Sequence, residues 1–150
     1  MLAAEFLYRV ADVRILILLS TLVGVLAPSS TGAAESWTGL WRILGPKPYS
    51  ELRTIDHGRG DVEFQFDLWG GPPANNSGGM EGHLSMKDGK ATFETTEYEG
   101  ICRIQFEFAP KQVTVRQAAG SWADCGFGHN IFADGKFVRV SKKIPTFIRR

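Results

Sequence analysis

The chain is poor in the residues from which most catalytic and metal-binding centres are built. It has two cysteines and three histidines, and the histidines (His57, His83 and His129) show no metal-ligand spacing. It also lacks a phosphate-binding glycine loop, a dinucleotide-binding fingerprint and a nucleophilic serine in a sharp glycine-flanked turn. We therefore predict no metal ion and no cofactor, and the sequence contains no complete catalytic motif that would identify an enzyme.

An excess of charge of one sign is missing as well. Lys and Arg number 17 against 16 Asp and Glu, and no block of like charge stands out. Neither nucleic acid nor an anionic membrane is therefore predicted as a partner. Glu94, Glu97 and Glu99 form an acidic run, and paired carboxylates can hydrolyse glycosides. A solvated strand edge is the simpler interpretation of this run.

No apolar run is long enough to cross a membrane. The stretch Ile15–Ala27 follows two arginines and falls short of the roughly 20 residues that a spanning helix needs. It leads through a proline to the small residues Ala33 and Ala34, the arrangement of a secretory signal peptide. We expect residues 1–34 to be removed on export and residues 35–150 to form a single domain, periplasmic or secreted. An uncleaved membrane anchor is the alternative.

Both cysteines, Cys102 and Cys125, lie in the part predicted to be exported. In an oxidising compartment such a pair usually forms a disulfide bond. On the chain-entropy argument, closing this loop would stabilise the fold by roughly 3 kcal/mol. A thiol nucleophile and half of a metal site are the alternatives, and the cysteine spacing supports neither.

Strict alternation of apolar and polar residues predicts two half-buried strands. Asp61–Trp69 places every second side chain on one face, and Ile101–Phe108 does the same. The residues that should face the core are Val62, Phe64, Phe66, Leu68, Cys102, Ile104, Phe106 and Phe108.

Turn signals separate further short strands. Asp88-Gly89 and Asp134-Gly135 each lie between alternating runs and predict hairpins, and Ala109–Gln112 predicts another tight connection. Gly70–Gly79 is too rich in Gly, Pro and Asn for a strand and is predicted to be a surface loop.

No convincing amphipathic helix follows residue 36, and we count seven or eight short strands. The predicted fold class is all-β: a small antiparallel meander closing into a barrel, with one disulfide bond and a preceding signal peptide. An open sandwich is the alternative. Ten phenylalanines in so small a chain indicate a barrel filled by side chains.

The least ordinary local feature is the glycine-rich segment Cys125–Asn130. A disulfide bond would hold it rigidly, and a rigid loop loses less entropy on binding. His129 and Asn130 would then present polar groups to a partner. In the alternative interpretation the glycines permit a bulge and Phe127 fills the core.

One resemblance covers roughly half of the chain, from residue 79 to 140. Its most specific block runs from Asp124 to Phe137 (DCGFGHNIFADGKF). It resembles small exported bacterial β domains that end in a C-G-F-G-x-N-V-x-x-D-G-x-Y pattern. Some of these are similar to, or sit beside, periplasmic lysozyme-inhibitor domains.

This resemblance implies a periplasmic binding or inhibitor protein. Its partner would be a protein of the cell envelope, such as lysozyme or another cell-wall hydrolase. The binding residues that we predict on this basis are Asp124, Phe127, His129, Asn130, Glu81 and His83.

A second, shorter resemblance lies at the start of the predicted domain. The residues Gly39-x-Trp41 are similar to the opening strand of calycin barrels such as lipocalins. This implies a calycin-like barrel and, as an alternative function, a carrier of a small hydrophobic ligand. A hydrolase that uses His129 with a carboxylate is the third hypothesis.

Overall fold

The structure, a computed structural model, describes residues 35–45 and 49–148, which form eight β-strands and no helix. The predicted signal peptide, residues 1–34, lies outside the described residues and stays a prediction. The strands are β1 (Gly39–Arg42), β2 (Glu51–Gly58), β3 (Asp61–Trp69), β4 (Ser77–Ser85), β5 (Lys90–Thr95), β6 (Cys102–Ala109), β7 (Gln112–Ala119) and β8 (Gly135–Ser141).

The strands form one antiparallel sheet in the order β4-β3-β2-β1-β8-β7-β6-β5. Because β1 pairs with both β2 and β8, the sheet curls round until its two edge strands, β4 and β5, face each other. The result is a nearly closed barrel, which confirms the predicted fold class. The barrel stays open along one line because β4 and β5 form no ladder with each other.

The alternation predicted for β3 and β6 is confirmed, and the inward side chains fill the barrel. The ring centroid of Phe64 lies 5.5 Å from that of Phe66, 5.1 Å from Phe106 and 5.0 Å from Phe93. Phe66 also contacts Phe137, at 5.8 Å. Such ring contacts add to the free energy gained by removing these large side chains from water.

The chain leading into β1 closes one end of the barrel, which we call the Trp37 end. The ring of Trp37 packs on Phe108 with the centroids 5.4 Å apart. Buried Thr54 accepts a hydrogen bond of 2.8 Å from the indole nitrogen of Trp41 and donates one to the carbonyl oxygen of Trp37. No hydroxyl is therefore left unsatisfied at this position.

The turn predicted at Asp88-Gly89 forms, but the hairpin around it does not extend. Both residues have positive φ, 50° and 75°, as a two-residue hairpin turn requires. Only Lys87 and Lys90 pair across it, through backbone hydrogen bonds of 2.8 and 2.9 Å. Beyond this bridge β4 and β5 are not hydrogen-bonded to each other.

The hairpin predicted at Asp134-Gly135 is wrong. Residues 130–134 form no strand, and β8 pairs with β7 and β1 instead. The alternation was misleading because Ile131 and Ala133 are buried against the barrel rather than in a ladder. The backbone nitrogen of Ala133 donates to the side chain of Gln117, which replaces a strand partner.

The loop predicted over Gly70–Gly79 is shorter than expected, because Ser77–Gly79 already belong to β4. Glycine is required at Gly78 because a Cβ there would lie 2.9 Å from Phe127. Tertiary packing, rather than strand propensity, therefore determines where β4 begins.

Candidate functional site

The segment that follows β7, residues 120–134, covers the other end of the barrel, and we call it the cap. A disulfide bond joins Cys125 of the cap to Cys102 at the start of β6, and both residues are fully buried. This confirms the predicted bond, with 23 residues of sequence separation. With both sulfurs in that bond, neither cysteine is a thiol nucleophile.

Asp124 closes the first turn of the cap. Its carboxylate accepts hydrogen bonds from the backbone nitrogen of Ser121, at 2.6 Å, and from the Ser121 hydroxyl, at 2.8 Å. These bonds, the backbone one first, hold the pKa of the Asp124 carboxyl below its usual value of 3.8. The carboxylate is thus used to shape the cap.

Phe127 fixes the middle of the cap to the barrel. Its side chain is 5% exposed and packs over Gly78, beside Ile131, which is 4% exposed. The next residue, Gly128, donates its backbone N–H to the carbonyl oxygen of Ser77, at 2.9 Å. The cap therefore adds one hydrogen bond to the free edge of β4.

His129 and Asn130 form the tip of the cap and are exposed. The His129 carbonyl oxygen accepts a hydrogen bond of 2.8 Å from the side chain of Asn76, and its ring lies 4.9 Å from that of Trp122. Asn130 has a positive φ of 60°, which asparagine tolerates better than most residues. The backbone of the tip is held in place while two polar side chains point outwards.

The other two predicted site residues, Glu81 and His83, lie on the outer face of β4. His83 belongs to the half of the strand farther from the cap. Its Nδ1 lies 3.0 Å from a carboxylate oxygen of Asp61, and this hydrogen bond is the main cause that raises the pKa of His83 above 6.5. Its ring stacks on His57, with the centroids 6.1 Å apart.

The structure thus separates the predicted site into three places. Asp124 and Phe127 form the base of the cap, His129 and Asn130 form its tip, and Glu81 and His83 line the outside of β4.

Among residues 35–45 and 49–148, no three His, Cys, Asp or Glu side chains are arranged to hold a metal ion. Within the same residues there is no helix long and apolar enough to cross a lipid bilayer.

A groove that sequence reasoning missed lies where β4 and β5 separate, and we call it the seam groove. It has a volume of about 290 Å³ and contains two carboxylates, those of Glu81 and Glu97. The acidic run Glu94, Glu97 and Glu99 was the sequence feature that pointed to this region, since Glu97 lines the groove. The missing ladder between two consecutive strands, which creates the groove, cannot be seen in a pattern of alternation. The lining residues are Gln65, Gly79, Met80, Glu81, Phe93, Thr95, Glu97 and Tyr98.

Comparison of the chain with protein-family models, with curated proteins and with solved structures gives no significant match.

Proposed function

We propose that this chain is an exported binding protein that captures a protein of the cell envelope through the cap, acting as an inhibitor of a cell-wall hydrolase such as lysozyme. The observation that carries the proposal is the contrast between the base and the tip of the cap. Cys125, Phe127 and Gly128 tie the base to the barrel, whereas the side chains of the tip are exposed. A loop fixed in this way loses little conformational entropy on binding.

The contact surface that we propose consists of His129, Asn130 and Phe132. Phe132 is 45% exposed, and phenylalanine is among the aromatic residues that are enriched at protein–protein interfaces. Asp124 and Phe127 are left out of this surface because their side chains are engaged in shaping and anchoring the cap.

Two features favour this function over the alternatives. The rings of Phe64, Phe66 and Phe106 contact one another at the centre of the barrel, where a carrier would hold its ligand. The His129 ring packs near Trp122, whereas the rings of His57 and His83 lie within hydrogen-bond distance of carboxylates. Binding through the cap needs neither an internal cavity nor an acid–base pair.

Inhibition of peptidoglycan hydrolysis tests the proposal. The full sequence would be expressed in a bacterial host, and the protein recovered from the periplasm would be added to lysozyme. We expect a stoichiometric decrease in the initial rate, and His129→Ala and Phe132→Ala should each weaken inhibition about tenfold or more. Lys111→Ala, an exposed change at the Trp37 end, is the matched control. An unchanged rate with the wild-type protein contradicts inhibition of this hydrolase.

Export has its own test. N-terminal sequencing of the protein made in its own host should give a start within a few residues of Glu35. Recovery of intact Met1 from the mature pool would show that no signal peptide is removed.

A further inference from the structure

The edge of β4 that faces the seam groove forms no ladder with any other strand in the part of the chain that the structure describes. Ser77 points its carbonyl oxygen away from β3, to Gly128, and Lys87 points both backbone groups to Lys90. Backbone N–H and C=O groups of alternate residues in a strand point the same way. Gly79 and Glu81 are alternate residues between Ser77 and Lys87. Their backbone N–H and C=O groups therefore point towards β5.

The facing edge of β5 is open in the same way. The backbone of Lys90 is hydrogen-bonded to that of Lys87, which follows β4. The carbonyl oxygen of Gly89, in contrast, accepts a hydrogen bond from the backbone N–H of Phe108 in β6. By the same alternation, Thr92 and Glu94 direct their N–H and C=O groups towards β4. In the described part of the chain these two edges share no ladder, so an extended segment can pair with either of them.

The side chains of the seam groove suit a cation. The carboxylates of Glu81 and Glu97 line it together with the rings of Phe93 and Tyr98. Among the residues that the structure describes, no Lys, Arg or His lines it. Gln65 donates a hydrogen bond of 2.9 Å to Glu81, which positions that carboxylate. Carboxylates and aromatic faces both attract guanidinium and ammonium groups.

The size of the groove limits its occupant. Pockets for drug-sized ligands measure about 300–1,000 Å³, and this one, at about 290 Å³, falls at the lower end. It therefore suits a single long side chain. Tyr98 also packs on the backbone of Gly126, so the groove adjoins the cap.

We propose that the seam groove binds one Arg or Lys side chain of the protein partner, carried by an extended segment whose backbone pairs with the free edge of β4. The inference rests on the proposed function, since it takes the partner to be a protein. Beyond that function, the proposal specifies how the partner is recognised. A basic, extended segment of the partner enters the seam groove, next to the part of the partner that contacts the cap.

The test must distinguish a partner's cation from the chain's own arginines. The side chain of Gln65 exchanges two hydrogen bonds of 2.7 Å with the backbone of Ile148. Arg149 and Arg150 follow Ile148 in the sequence. The experiment must therefore separate a partner's cation from these two residues.

The test is an NMR titration of the ¹⁵N-labelled full chain with the blocked peptide Thr-Val-Arg-Val-Thr, alongside the same peptide with Gln in place of Arg. The Arg peptide should bind about fivefold more tightly, which corresponds to a cation–π contact of about 1 kcal/mol. Its addition should shift the amide signals of Gly79, Glu81, Thr92 and Glu94.

Matched variants locate the interaction. Glu81→Gln and Glu97→Gln, which keep side-chain size, should each weaken binding of the Arg peptide about threefold to tenfold. Glu107→Gln makes the same charge change on β6, outside the groove, and should leave binding unchanged. Thermal midpoints within a few degrees of wild type would show that the variants are folded.

Three results would overturn the proposal: equal binding of the Arg and Gln peptides, equal effects of the groove and control variants, or binding that appears only after Arg149 and Arg150 are deleted. The last result would assign the groove to the chain's own residues. Because the titration uses neither lysozyme nor the cap, its failure can be told apart from failure of the proposed function.

Discussion

Arg139 lies across the indole of Trp41, with its guanidinium carbon 4.1 Å from the ring centroid. Only 5% of the Arg139 side chain is exposed, and one of its terminal nitrogens donates a hydrogen bond of 3.1 Å to the carbonyl oxygen of Ser36. Burial is the main cause that lowers the pKa of this guanidinium, while Glu35 opposes the shift. One side chain of β8 thus connects the first strand to the segment that closes the Trp37 end.

Replacing Arg139 should therefore destabilise the barrel. We expect Arg139→Ala to lower the free energy of unfolding by about 2 kcal/mol, because it removes a desolvated cation–π contact and a hydrogen bond. Arg139→Lys should recover little of this, since an ammonium has no flat face to lay on the ring. Urea unfolding followed by tryptophan fluorescence measures both. Arg116→Ala, on an exposed position of β7, is the control and should change stability by less than about 0.5 kcal/mol.

The disulfide bond should contribute a large share of the stability of a domain this small. Removing a native bond from such a domain usually costs about 2–5 kcal/mol, and we expect Cys102→Ser to fall in that range. Non-reducing mass spectrometry of the exported protein should show Cys102 bonded to Cys125. Two titratable thiols in the folded wild-type protein would contradict the bond.

Local patterns predicted the barrel well because they report on burial along single strands. β3 has the predicted bounds, and in β6 the inward residues are the predicted ones. Even here tertiary structure intervenes. Gln65 lies on the face of β3 opposite the core residues, yet it is 2% exposed because the backbone at Ile148 covers it. A contact between residues so far apart in sequence leaves no periodic signal.

The candidate site was harder to predict for the same reason. The glycines and the cysteine of Cys125–Asn130 mark this segment in the sequence, but they are compatible with two interpretations of its residues. Burial separates the roles, placing Phe127 against the barrel and His129 outside. The seam groove depends on two strands failing to pair, which is a property of the whole sheet and not of either strand.

The cap should show this division when its residues are replaced one at a time. Phe127→Ala should cost about 3–5 kcal/mol of stability because it empties a buried position beside Gly78. His129→Ala should change stability by less than about 0.5 kcal/mol, since its side chain is exposed. It should weaken partner binding by about 1–2 kcal/mol or more. Thermal unfolding and calorimetric titration with the partner measure these effects.

Reversed roles would refute this assignment. If His129→Ala unfolds the domain, the tip is part of the packing. If Phe127→Ala leaves the thermal midpoint unchanged, the cap is not anchored through that ring.

The pair formed by His83 and Asp61 predicts a pH-dependent signal on the outside of β4. The hydrogen bond to Asp61 favours the charged imidazolium, so the pKa of His83 in the folded protein should lie above 6.5. A raised pKa means that the pair contributes its stability below about pH 6.5 and loses it as the pH rises through the folded value. NMR titration of the imidazole signals measures that value.

Asp61→Asn should lower the pKa of His83 towards 6.5, because the first cause of the shift is removed. Glu63→Gln, which removes only the weakest of the causes, should lower it less. If the pKa of His83 lies below 6.5 in the wild-type protein, or if Asp61→Asn leaves it unchanged, the ion pair does not persist in solution.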